Sequence, residues 1–66
     1  MTIKSYIIEY LRGKDYVAGG TIERYLMDFL PTKGGTIERI CRKMVENEIL
    51  INRYDKGFVE YKLNIL

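Results

Sequence analysis

The stretch Lys33-Gly34-Gly35-Thr36-Ile37-Glu38-Arg39-Ile40-Cys41-Arg42-Lys43-Met44-Val45-Glu46-Asn47 sorts its residues into two kinds. Ile37, Ile40, Cys41, Met44 and Val45 recur every three or four positions, the spacing of one face of an α-helix. At roughly 100° per residue, Arg39, Arg42, Lys43 and Glu46 gather on the opposite side. The spacing predicts a two-faced helix over residues 36–47, with one side in a core and the other free to meet a partner.

The hexapeptide that opens this helix, Gly-Gly-Thr-Ile-Glu-Arg, also occupies residues 19–24. Two copies are too few for a repeat architecture. They read instead as one start signal used twice: glycines for the turn, threonine as cap, glutamate near the positive helix end. The earlier copy predicts a helix over 21–30, with Ile22, Tyr25, Leu26, Phe29 and Leu30 on one face. Pro31 ends it, because the residue before a proline avoids helical geometry, and residues 31–35 read as a tight turn. Further upstream, Ile3, Tyr6, Ile7, Tyr10 and Leu11 share a face of an expected helix over 2–12, capped by Thr2 and ended by Gly13. Ile8 lies off that stripe and is expected at the surface. Residues 14–20 are too few for a helix, and Tyr16 and Val17 favour a short strand.

Downstream, residues 49–54 are rich in apolar and β-branched side chains. Asp55-Lys56-Gly57 reads as a hairpin turn with Gly57 placed for positive φ. Residues 58–63 return with Val59, Tyr61 and Leu63 on one face and Phe58, Glu60 and Lys62 on the other, the alternation of a half-buried strand. Asn47 is the expected left-handed residue that ends the basic helix.

The chain has 66 residues, 47% apolar and 30% charged, with a net charge of +2. That length fits one domain over 1–66 with a thin core, and dimerisation would help stabilise it. No apolar run is long enough to span a membrane, and the first residues lack the pattern of a secretion signal. The single cysteine, Cys41, excludes an internal disulfide, and its apolar neighbours place it in the core, as suits a reducing compartment such as the cytoplasm. Histidine is absent, which removes the commonest general base and metal ligand. No enzyme constellation, metal site or cofactor is expected.

Three helices, a short strand after the first and a C-terminal hairpin form an α+β arrangement that resembles the winged helix-turn-helix family over nearly the whole chain. The segment 17–23 looks like that family's strand leading into its second helix. Residues 36–44 look like its recognition helix, and 49–54 with 58–63 look like its wing. The resemblance implies a double-stranded DNA-binding protein, a small transcriptional regulator, with the third helix in the major groove and the wing on the backbone or minor groove. The basic side chains fit that expectation. From Lys33 to Lys43 there are four basic residues and one acidic, a local charge of +3 that exceeds the charge of the whole chain. The expected DNA-contacting residues are Lys33, Thr36, Arg39, Arg42 and Lys43 on and before the helix, with Arg53 and Lys56 near the wing tip. Backbone amides at Gly20 and Thr21 offer a further phosphate position.

The plain alternative for this face is an ordinary solvated helix surface. The tyrosines on helical stripes, Tyr6, Tyr10 and Tyr25, read as core. One helix contacts few base pairs, so a homodimer on two half-sites is expected, through the first helix and the tail at 64–66. The rival functions are a winged-helix protein-interaction module, favoured by the low net charge and by Glu38 and strengthened if Ile8, Met27 and Leu66 form an exposed apolar patch, and RNA or single-strand binding through Tyr54 and Phe58.

Overall fold

The computed structural model describes residues 2–65. It contains α1 (Ile3–Leu11), β1 (Val17–Ala18), α2 (Gly19–Met27), α3 (Gly34–Glu46), β2 (Leu50–Asp55) and β3 (Phe58–Leu63). The architecture is α+β: three helices and a three-stranded antiparallel sheet in the order β1-β3-β2.

The first helix starts as its sequence dictates. Thr2 is extended, and its hydroxyl accepts the amide of Ser5 at 3.1 Å, which satisfies one of the donors a helix start leaves without an internal partner. Gly13 takes φ +75° just beyond the C-terminus. Ile7 and Leu11 are fully buried. Ile8 is a correction: it is half-buried and packs against the core, because α1 meets α2, α3 and β3 over a wider arc than one stripe covers.

The second and third helices begin three residues earlier than the threonine-cap reading predicts. Their caps are Ala18 and Lys33, neither with a capping side-chain hydrogen bond. Thr21 and Thr36 therefore lie inside the first turn and cap nothing. At α2 the reason is the sheet. Ala18 is extended because it pairs with Glu60 of β3, so the helix starts at the next residue. Gly19 is buried there, and a Cβ on it would lie 3.1 Å from Cε2 of Tyr61. A side chain there would press on the buried ring, so glycine suits this close approach.

α2 also ends sooner than Pro31 requires. Asp28 is its C-cap, and the amides of Phe29 and Leu30 both bond the carbonyl of Leu26 in a closing turn. Phe29 thereby leaves the buried stripe and is 48% exposed, and Tyr25, at the stripe's edge, is 46% exposed. Neither is core, contrary to the periodicity.

α3 buries Ile37, Cys41 and Met44 and half-buries Ile40 and Val45, as its spacing predicts. Its C-terminus is a Schellman motif: the amide of Ile49 bonds the carbonyl of Met44 at 2.8 Å and that of Glu48 bonds the carbonyl of Val45 at 3.0 Å. The left-handed residue is Glu48, at φ 62°, whereas Asn47 stays at φ −89°. Asn64 holds this corner from β3's far end, donating its side-chain amide to the carbonyl of Glu48 at 2.9 Å. Both Lys56 and Gly57 take positive φ between the paired residues Asp55 and Phe58, the backbone of a type I′ hairpin turn.

Nine buried apolar side chains, Ile7, Leu11, Ile22, Leu26, Ile37, Cys41, Met44, Leu50 and Tyr61, form one cluster that joins every helix to both long strands. Among the described residues no helix is long and apolar enough to cross a membrane.

Candidate nucleic-acid interface

The outward side of α3 is set by its inward side. With Ile37, Cys41 and Met44 fixed in the core, helical geometry places Arg39 near the centre of the free face, Glu38 and Arg42 on one flank, and Thr36 and Lys43 on the other. Arg39, Arg42 and Lys43 are exposed and Thr36 is half-buried. Lys33, also exposed, is the N-cap. A cation there opposes the positive helix end. Glu23 of α2 offsets it: its carboxylate would stand 3.3 Å from a Cβ on Gly34.

The Arg42 flank faces the hairpin. A groove of about 360 Å³ lies between them, lined by Glu38, Arg42, Asn52, Tyr54, Gly57, Val59 and Tyr61. Inside it, Arg42 donates to Glu38 at 3.2 Å, an i,i+4 ion pair in which Arg42 stays largely in solvent and Glu38 is half-buried. That hydrogen bond and charge raise the guanidinium's already high pKa. Salt and competing anions readily displace exposed pairs of this kind. Arg42 is thus tethered, and Arg39 and Lys43 make no ion pair among the described residues.

The hairpin residues divide differently. Lys56 is exposed at the tip of the turn. Arg53 pairs with Glu60 across the strands, on the sheet face opposite Asn52 and Tyr54. Its Nε donates to Glu60 at 2.7 Å, and its guanidinium lies 4.1 Å from the centroid of Tyr16. Lys62 approaches the same ring at 5.7 Å and pairs with Asp15 at 3.7 Å. The structure therefore brings Thr36, Arg39, Arg42 and Lys43 onto one helix, with Lys33 at its start. It sets Lys56 on the neighbouring hairpin tip and Arg53 in a separate cluster behind the sheet.

Two groove-lining polar residues, Asn52 and Tyr54, escaped the sequence reading as partners of Arg42. Their signal is the two-residue period of β2, which puts both on Tyr61's face once the register Asn52↔Tyr61 is known. Tyr54 and Phe58, 78% and 70% exposed, flank the turn as expected. Gly20 and Thr21 are exposed in the first turn of α2.

Beneath the helix, Cys41 is 1% exposed. Burial pushes its thiol from an ordinary 9.0 up to about 12, and the nearby carboxylates Glu38 and Glu23 add to the effect. Burial likewise raises Tyr61. Cys41 is thus a protonated core side chain at neutral pH. No group of three or more metal-ligating side chains occurs among the described residues.

No protein-family model, no curated protein and no solved structure matches this chain.

Proposed function

We propose that the chain is a winged-helix protein that binds double-stranded DNA, with α3 in the major groove and the β2–β3 hairpin against the adjacent backbone or minor groove. The observation that carries this reading is the free face of α3, where, among the described residues, Arg39 and Lys43 stand without carboxylate partners beside Arg42, with Lys33 at the helix start. An α-helix fits the roughly 12 Å major groove, and arginine reads guanine through two hydrogen bonds. The order of helix, strand, two helices and hairpin supports the family resemblance. Lys56 at the hairpin tip is placed for a phosphate, and the exposed start of α2 at Gly20 and Thr21 offers amides to another. Arg53 contributes only by leaving Glu60, so its part in binding is minor.

The role is that of a small transcriptional regulator in a reducing, cytoplasmic compartment, which accords with a buried free thiol. A single helix reads few base pairs, so two copies on two half-sites give usable specificity.

A second reading, a winged-helix protein-interaction module, has the Glu38–Arg42 pair in its favour, since it lowers the free positive charge on a chain of net charge only +2. Fluorescence anisotropy with a random-sequence 30-base-pair duplex across a salt series separates the two. DNA binding predicts a log–log slope of about −0.9 per phosphate neutralised, shallower in Arg39→Ala/Arg42→Ala. It also predicts tighter binding in Glu38→Gln, which releases Arg42. No binding at about 50 mM salt, where nonspecific contact is strongest, favours the interaction module.

A further inference from the structure

Tyr25 and Phe29, exposed on α2 and just beyond it, meet Tyr6 and Tyr10, which are half-buried against the core. Tyr10 and Tyr25 stack with centroids 4.2 Å apart and rings 26° from parallel. Tyr25 meets Phe29 edge-on at 5.3 Å, and Phe29 meets Tyr6 at 5.5 Å. These four rings, half of the eight phenylalanines and tyrosines in the chain, run across the α1–α2 seam and line a groove of about 360 Å³ completed by Glu9 and Lys14. Lys14 closes one end, its ammonium bonded to the carbonyl of Tyr10 at 2.6 Å and 4.4 Å above the Tyr10 ring.

We propose that this aromatic groove is the surface on which a second copy of the chain docks, forming a two-fold homodimer. Three features point to the same chain as occupant. The groove is lined by charges of both signs: one carboxylate, Glu9, which Arg12 holds at 3.3 Å, and one ammonium, Lys14. A two-fold-related copy presents the same charged groups in opposite order, as a self-complementary interface requires. The surface is aromatic and tyrosine-rich, the composition that carries binding energy in protein interfaces. The area needed is large for this molecule: a stable interface takes roughly 800 Å² from each partner, against 4689 Å² in all. Only a whole side of the chain can supply it. The α1–α2 side is free to do so, since no lining residue comes from α3 or the hairpin and the basic face of α3 stays open. The proposal deepens the two-copy reading above without needing DNA to bind.

Sedimentation equilibrium of the full chain without nucleic acid, from about 1 to 500 μM, tests it. The expected result is a concentration-dependent dimer that Tyr25→Ser/Phe29→Ser weakens at least ten-fold, with an unchanged far-UV circular dichroism spectrum, while Tyr54→Ser/Phe58→Ser at the hairpin tip leaves it intact. Lys14→Glu, a surface change that makes the groove charge uniformly negative, is a second variant and also weakens the dimer at least ten-fold. A chain that stays monomeric at 500 μM overturns the proposal, as does a dimer that survives both groove variants or is lost with the hairpin-tip change. Because DNA is absent from the cell, failure here leaves the anisotropy result standing, and the converse holds.

Discussion

The same six residues, Gly-Gly-Thr-Ile-Glu-Arg, open α2 and α3, and the two copies meet different surroundings. Both isoleucines, Ile22 and Ile37, are fully buried. At the other positions the copies diverge. Gly19 is buried under Tyr61, whereas Gly34 is half-buried beside the end of a flexible carboxylate. Glu23 turns back towards the start of the next helix, whereas Glu38 holds Arg42. Arg24 shares a shallow surface with Glu23 and Asp28, whereas Arg39 has Arg42 and Lys43 three and four residues on. The motif fixes which side chain points inward. What its arginine and its first glycine do depends on the tertiary neighbours.

The largest effect tests the likeness between the copies. Ile22→Ala and Ile37→Ala each remove a fully buried side chain, so each should cost about 2–5 kcal/mol in urea unfolding. A near-zero cost at either position would mean that the copies are not equivalent in the core. The next test concerns the difference between them. Gly19→Ala drives a methyl to 3.1 Å from a ring that is itself buried, and overpacking of this kind costs about 1–3 kcal/mol. Gly34→Ala meets only the Glu23 carboxylate, which can swing away, and alanine favours helix by up to about 1 kcal/mol over glycine. The expected melting temperatures therefore move in opposite directions for the same substitution in the same motif.

A pH test follows from the helix that the second copy opens. The unfolded Cys41 thiol ionises near 9, whereas the folded one holds its proton to about 12. Its contribution to stability is fully present below pH 9 and is lost as pH rises towards 12. Between pH 8 and 10.5 the loss is about 2 kcal/mol, at 1.36 kcal/mol per unit. Thermal melts should show a shallower alkaline decline in Cys41→Ala, with a residue due to Tyr61, whose pKa is raised in the same way.

The sequence made legible whatever depends on local periodicity or local backbone chemistry. The α3 stripe, the Thr2 cap, the Gly57 turn and the alternation of β3 are all of that kind. It misplaced what depends on distant partners. Thr21 and Thr36 resemble caps, yet the pairing of Ala18 with Glu60 starts α2 at the glycine. Tyr25 and Phe29 fit a helical stripe only if α2 reaches residue 30, and it stops at Met27. Asn47 is the better left-handed residue by propensity, yet Asn64 anchors the corner at Glu48. The candidate site divides the same way. Arg39, Arg42 and Lys43 were readable because one helix presents them. The withdrawal of Arg53 behind the sheet required the β2–β3 register. The patch suggested at Ile8, Met27 and Leu66 does not form as read: Ile8 packs on the core, Met27 is exposed on α2, and Leu66 lies outside the described residues.

The two motif arginines, Arg24 and Arg39, can be set against each other on DNA. Binding of Arg24→Ala and Arg39→Ala to one 30-base-pair duplex would be measured by anisotropy from 50 to 300 mM salt. Arg39→Ala is expected to bind at least five-fold more weakly at low salt, with a slope shallower by about 0.9, the loss of one phosphate contact, while Arg24→Ala follows the wild type. Equal losses in both, or none in Arg39→Ala, would contradict the placement of DNA on the free face of α3.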